Sequence, residues 1–162
     1  MKIKILEEII LDQKEMEVDS FNPAEYCTRP EEQHLNLDSC LAQVVIGVRR
    51  CGKSTLCMNV LKKSGLPFAY VNFDDERLVK LKGDDLNDIL TALYKVYGRF
   101  KILFIDEMQN IPEWFLFANR LLRQKMRLVI TGSNAKLLSG ELATHLTGRY
   151  METRLYPFSF ME

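Results

Sequence analysis

Apolar positions in this chain change period again and again, and the changes mark its elements. Between Ile3 and Val18, the residues Ile5, Leu6, Ile9 and Ile10 recur among acids and lysines at the spacing of an amphipathic helix. That stripe suits packing on the chain's own core or on a neighbouring subunit. From Asp19 to Arg29 no period survives Ser20, Asn22, Pro23 and Thr28, and the stretch reads as irregular. Pro30-Glu31-Glu32, with proline early and acids in the first turn, predicts a short helix. Leu41 to Ile46 is a continuous apolar run, as expected of a central parallel strand buried on both faces. A helical pattern then extends to about Lys63, with Gly65 as its stop and Pro67 barring continuation.

The alternation repeats down the chain. A strand over Phe68–Phe73 ends in Asp74-Asp75. A helix runs from Asp84 to Tyr97, with Leu86, Ile89, Leu90 and Leu93 on one face and Gly98 as its end. Lys101 to Ile105 reads as the third strand, Pro112 to about Lys125 as a helix, and Arg127 to Thr131 as the fourth strand. Lys136 to Thr147 reads as helix plus loop, and Tyr150 to Tyr156 as a last strand before Pro157. Strands alternating with helices predict a parallel sheet covered on both sides. Such sheets bind ligands beyond the C-terminal ends of their strands.

Chemistry gathers at those ends. After the first strand stands Gly47-x-x-x-x-Gly52-Lys53-Ser54, the phosphate-binding P-loop or Walker A pattern. Its appearance by chance in a chain this long is on the order of half a percent, given ordinary residue frequencies. Successive backbone N–H groups of such a loop converge on an anion, and the following helix adds its N-terminal dipole. The residues Gly47, Val48, Arg49, Arg50, Cys51, Gly52, Lys53, Ser54 and Thr55 are therefore the expected contacts to a nucleoside triphosphate. Lys53 would reach the β- and γ-phosphates, and the Ser54 hydroxyl would ligate Mg²⁺. Arg49 and Arg50 would touch phosphate or a neighbour, or simply face solvent.

Ile102-Leu-Phe-Ile-Asp106-Glu107 is a Walker B pattern, an apolar strand that delivers two acids at its tip. Asp106 is expected on the Mg²⁺, and Glu107 is expected to orient and deprotonate the attacking water. The extra strand between the two motifs, with the acid after Asp106, indicates the additional-strand, catalytic-glutamate class of P-loop ATPases. After the fourth strand comes Thr131-Gly-Ser133-Asn134. A polar side chain there would sense the γ-phosphate, with Ser133 preferred, then Asn134, then Thr131; the alternative is a polar turn capping a helix. Arg149, before the last strand, is the candidate to neutralise charge on the γ-phosphoryl, in its own chain or in trans, or else a structural arginine. Gln109 would set the water, relay state to a partner, or only decorate its turn. For Asp74, Asp75 and Glu76 a plain loop is preferred to a place near the metal. Trp114, Phe115 and Phe117 read as core packing. Arg120, Arg123, Lys125 and Arg127 read as a solvated face sooner than a DNA-tracking strip.

Together these features predict a P-loop NTPase of the α/β class: a three-layer α/β/α sandwich with a mainly parallel five-stranded sheet in the order 5-1-4-3-2. Residues 29–162 form its core, and residues 1–28 a helix and irregular lead-in. The linked set Val45–Leu56, Tyr70–Asp75, Leu103–Gln109, Ile130–Asn134, Leu146–Arg149 and Leu155–Phe160 resembles, in one order, a large group of prokaryotic AAA+-like ATPases of poorly defined role. The resemblance implies an adenine nucleotide and Mg²⁺ as ligands. It also implies a longer family protein, of which this chain looks like the N-terminal ATPase core without the C-terminal domain.

Composition narrows the picture further. The chain has 162 residues, suited to one domain, and its 22 basic and 22 acidic residues give a formal net charge of zero. A whole-chain nucleic-acid footprint is therefore absent, although a DNA or protein partner stays open. No apolar run approaches the ~20 residues of a membrane span. The first ten residues carry acids and no cleavage site, so they are not a signal peptide. Cys27, Cys40, Cys51 and Cys57 lack metal-ligand spacing and read as reduced thiols of a cytoplasmic protein. A homo-oligomer would be required if Arg149 served in trans. The expected function is ATP hydrolysis that moves or remodels a partner. The alternative is a nucleotide-operated switch with little turnover. A small-molecule kinase would need an acceptor pocket and a lid, and neither is visible in the sequence.

Overall fold

Strand β1 (Ala42–Gly47) has all six residues buried, the polar Gln43 among them, and runs inside the sheet, as its largely apolar run predicts. The computed structural model describes residues 2–48, 50–133 and 139–157. Within them β2 (Phe68–Asn72), β3 (Ile102–Asp106), β4 (Arg127–Gly132) and β5 (Tyr150–Leu155) join β1 in one five-stranded sheet. The order is β2-β3-β4-β1-β5, and every neighbouring pair is parallel. This is the expected order, counted from the other edge.

The pleat sorts the strand residues between two cores. On one face Val44, Ile46, Ala69, Val71, Leu103, Ile105, Leu128 and Ile130 meet α1 (Ile3–Gln13), α3 (Leu86–Tyr97), α4 (Trp114–Arg123) and α5 (Ser139–Leu146). On the other face Val45, Tyr70, Ile102, Phe104, Val129 and Leu155 meet Leu56, Cys57, Met58 and Leu61 of α2 (Lys53–Ser64), together with Val18 and Leu35 from the chain before β1. The molecule is thus the three-layer sandwich the sequence predicts.

The N-terminal stripe resolves in favour of the chain's own core. Leu6, Ile9 and Ile10 are buried, and α1 lies on α3 and β2. The helical pattern continues past Gln13 as a π-helix over Lys14–Asp19. Gln13, itself buried, then donates to Asn72 O and accepts from Asn72 N–H, which fixes the end of α1 to the end of β2. One boundary differs from the sequence reading. The helix expected from Pro112 begins at Trp114, because Glu113 adopts a left-handed conformation (φ 56°) while Ile111 turns into the core. Trp114 and Phe117 pack in the core as expected, and Phe115, partly buried, packs against it and lies on His145, ring on ring at 3.9 Å. Among the described residues no helix is long and apolar enough to cross a membrane.

Candidate functional site

The parity that divides the two cores also decides which polar groups meet. Residues 102, 104 and 106 of β3 face α2, as do residues 129 and 131 of β4 and residue 70 of β2. Asp106, Thr131 and Tyr70 therefore emerge side by side beneath the first turn of α2. Ser54 Oγ donates to Asp106 Oδ1 at 2.8 Å, Thr131 Oγ1 donates to the same oxygen, and Tyr70 OH donates to Oδ2 at 2.8 Å. Burial pushes the Asp106 carboxyl above the usual carboxylate range, and the three hydroxyls pull it back. Burial, reinforced by the Asp106 charge, holds the Tyr70 phenol far above its ordinary range. Burial likewise raises the Cys57 thiol.

The loop above this cluster closes around Lys53, which is 4% exposed. Its ammonium donates to Gly47 O at 3.0 Å and Val48 O at 3.1 Å, and it lies 3.7 Å from Glu107 Oε1. Gly52 caps α2 with φ 95°, a left-handed torsion that glycine adopts without a Cβ penalty. Glu107 also has positive φ, at 56°. For a residue with a side chain that costs about 1–3 kcal/mol and persists only when the surroundings fix it. Here they do. The Glu107 N–H donates to Thr131 Oγ1 at 2.9 Å, and its Oε2 accepts from Gln109 Nε2 at 2.6 Å.

These groups border one open cavity of about 390 Å³ at the C-terminal edge of the sheet, lined by Arg50, Gly52, Lys53, Ser54, Thr55, Asp74 and Glu107. A second cavity, of about 340 Å³, shares Gly52 and Thr55 with it as lining and lies between α2 and the segment before β1 that carries Tyr26 and Arg29.

Several expected residues sit elsewhere. Ser133 lies half-buried just beyond β4 and is not on the wall of the first cavity; the hydroxyl that binds Asp106 and Glu107 belongs to Thr131, ranked last of the three. Asn134 and Arg49 lie outside the described residues. Cys51 is buried, and Val48 is half exposed. Asp74, read as a plain loop residue, lines the first cavity. Arg149 stands apart from the loop. It precedes Tyr150, which pairs with Ala42 at the start of β1, whereas Gly47 pairs with Leu155 at the other end. Five residues at ~3.3 Å each leave roughly 16 Å between that edge and the loop. Arg149 is exposed there and does not line the cavity of its own chain.

Sequence reading missed Arg29. It is 5% exposed; its Nη1 donates to Cys51 O at 2.8 Å and its Nη2 to Tyr156 O at 2.6 Å. Only its place just before Pro30 hinted at order in that segment.

Thr131→Val keeps the shape of the side chain and removes both bonds of the hydroxyl. We expect it to cost about 1–3 kcal/mol, because buried groups lose their partners, and to lower the melting temperature by several degrees. Thr131→Ser should restore most of the loss in the same thermal melt.

A family model described as an AAA domain matches residues 41–162. An uncharacterized protein of Methanocaldococcus jannaschii is 36% identical over 159 residues, covering 98% of this chain and 34% of that relative. An uncharacterized protein of Haemophilus influenzae is 40% identical over 135 residues, covering 77% of this chain and 33% of the relative. The chain thus spans about a third of the length of the curated relatives it matches. Among solved structures, the flagellar accessory protein FlaH of Methanocaldococcus jannaschii matches 71% of this chain and 70% of its own, with a TM-score of 0.50 and 15% identity, a likeness of fold.

Proposed function

This chain belongs to the AAA domain family, and from that premise we propose that it binds ATP with Mg²⁺, hydrolyses it, and couples nucleotide state to a partner. The observation that carries the reading is that Lys53, Ser54 and Glu107 line one cavity beyond the strand ends, with the buried Asp106 carboxylate directly behind the Ser54 hydroxyl. Ser54 and Asp106 offer hard oxygens 2.8 Å apart, a donor set that suits Mg²⁺ with phosphate and water completing its shell. The ion would neutralise charge on the phosphate oxygens. Lys53 would leave Gly47 O and Val48 O for the β- and γ-phosphates. Glu107 would take a proton from the water that attacks the γ-phosphorus, as the bond to the β-phosphate oxygen breaks. The adjoining cavity would receive the nucleoside.

Arg149 fits this scheme only across subunits. Its place at the edge of the sheet remote from its own loop is where a residue would meet a neighbour's cavity in a head-to-tail assembly. A second reading, a switch with slow intrinsic turnover, draws on the 3.7 Å approach of Lys53 to Glu107, which occupies both groups with each other.

The test is steady-state ATP hydrolysis across protein concentrations, with ATP binding in parallel. Glu107→Gln should bind ATP within about threefold of wild type and lose about 10²–10⁴ in turnover, the usual contribution of a general base. If Arg149 acts in trans, specific activity will rise with concentration and Arg149→Ala will flatten the curve. Wild-type turnover retained by Glu107→Gln would sink the catalytic assignment. A wild type that binds ATP and does not turn over would leave the switch.

A further inference from the structure

Arg149 has basic company at its edge of the sheet. Arg99 and Lys101 lead into β3, Lys125 and Arg127 into β4, and Arg123 joins them from the last turn of α4. Across residues 38–41, 65–67, 98–101, 123–127 and 147–149, the stretches that enter the five strands, Asp38 is the only acid. The opposite edge is acidic, with Asp74, Asp75 and Glu76 after β2 and Glu107 after β3. A chain without net charge is thus polarised along its strands. The basic cluster seen in the sequence is not the one in space. Arg120 turns away to Asn87 and lies over the Phe117 ring, whereas the sheet brings Arg99, Lys101 and Arg149 in from other segments.

These cations are available. Arg99, Lys101, Arg123, Lys125 and Arg149 are exposed, and among the described residues none of their side chains has an ion-pair or hydrogen-bond partner. Arg127 reaches Leu37 O at 3.2 Å and the exposed Asp38 at 3.5 Å. Lys125 closes α4 with φ 68°, at a cap where glycine is the usual residue. The helix dipole would account for Arg123 and Lys125, and it leaves Lys101, Arg127 and Arg149 without a reason. Arg123, Lys125, Arg127 and Arg149 line a cavity of about 470 Å³ together with Leu41 and Met126, and no aromatic ring lines it. A docked peptide strand gains its affinity from free backbone groups. Here they are already used: the Ala42 N–H donates to Arg149 O at 2.9 Å, and the Arg127 N–H to Lys101 O at 3.1 Å. What the edge offers is a row of charges. From β3 to β5 it crosses three strand spacings, about 14 Å at ~4.8 Å each. That suits about four phosphates at the ~3.4 Å rise of one strand, and guanidinium forks match phosphate oxygens in pairs.

We propose that this edge binds the phosphodiester backbone of a nucleic acid and does not read its bases. Arg99, Lys101, Arg123, Lys125 and Arg127 hold the phosphates, and without a stacking ring the grip is independent of sequence. The surface lies at the far side of the sheet from Lys53, so its ligand is independent of the triphosphate reading.

Fluorescence anisotropy of the full chain with a labelled oligodeoxythymidine, and with a labelled duplex of the same length, tests this. At low salt a dissociation constant of about 10⁻⁵ M or tighter is expected for at least one of them. For the single strand, log K should fall against log salt with a slope of about −3, the counterions of about four phosphates. Lys101→Glu with Arg123→Glu and Lys125→Glu should weaken binding at least about 30-fold by reversing the charge that meets the phosphates. Lys4→Glu with Lys80→Glu and Lys82→Glu makes the same change in net charge at exposed positions elsewhere, and should stay within about threefold of wild type because distant charges are screened. Should the first set melt early, glutamine at the same three positions replaces it, with about a tenfold loss expected. A wild type that binds neither oligonucleotide overturns the assignment. So does a control set that weakens binding as much as the first, which leaves net charge as the cause. Polyglutamate that displaces the oligonucleotide at equal charge concentration overturns it too, and assigns the edge to an acidic protein. ATP binding is measured on the same samples: its absence in wild type counts against the triphosphate reading alone.

Discussion

Gly47→Ala is expected to cost most of the site's function and a large part of the chain's stability. A Cβ at this position would lie 2.5 Å from Cys51 Sγ and 2.6 Å from Leu155 O. Both distances fall inside van der Waals contact, and the two neighbours differ in what they can yield. Cys51 is buried, so its sulfur has little room to swing. Leu155 O is backbone of β5, and Gly47 is paired with Leu155 in the register of the sheet. The strands must part, or the loop must lift. Overpacking a filled site costs about 1–3 kcal/mol and sometimes more. A melting temperature lower by roughly 5–10 °C follows for a chain of this size. The loop begins at Gly47, and Lys53 takes its bearings from Gly47 O, so ATP affinity should fall by about 100-fold, the effect of ~3 kcal/mol at the site. A double variant, Gly47→Ala with Cys51→Ala, separates the causes. It removes the sulfur and keeps the clash with Leu155 O, so it should recover only part of the loss. A single variant that melts and binds like wild type would mean that β1 and β5 are not in this register.

What the sequence made legible follows from the kind of signal each feature leaves. Parallel strands buried on both faces are unbroken apolar runs, so Val44–Ile46 and Leu103–Ile105 stood out, and Gly47 to Ser54 fixed their order relative to the chemistry. The choice among Thr131, Ser133 and Asn134 was a different matter. It depends on which face of β4 each residue takes and on the register of β4 against β3, which sets Ile130 beside Ile105 and so brings Thr131 to Asp106. A single strand carries no register. Tyr70 was hidden for the same reason: its hydroxyl reaches Asp106 from a strand whose sequence reads only as apolar. Arg149 is the case in which a signal was available. In a parallel sheet, a residue before a strand lies at the edge opposite to the ligand edge. That rule alone excludes a role for Arg149 in its own chain's site. Arg29 owes its role to segments far apart in the chain, at Cys51 and Tyr156.

Arg29→Ala should be the most damaging substitution outside the loop. The guanidinium is the joint between three segments: the stretch before β1 that carries it, the loop at Cys51 O, and the residue after β5 at Tyr156 O. Its Nε lies 3.6 Å from the Glu31 carboxylate. Truncation leaves two carbonyls and a carboxylate short of a donor and opens a void in their midst. Breaking a buried charge pair from one side costs about 3–5 kcal/mol, which for this length is a melting temperature lower by roughly 10 °C or more. Arg29→Lys keeps the charge and cannot span both carbonyls with one ammonium, so it should rescue only a minor part. Thiol chemistry gives a local reading of the same event. With the exposed Cys27 and Cys40 changed to serine, the remaining thiols, Cys51 and Cys57, are both buried. If the arginine holds the loop, Arg29→Ala will speed alkylation of Cys51 well below the melting temperature while Cys57, on the buried face of α2, stays protected. Equal acceleration at both thiols would instead mean general loosening of that side of the sheet. Unchanged labelling and unchanged melting would show that the joint bears no strain and that the loop keeps its shape by its own backbone alone.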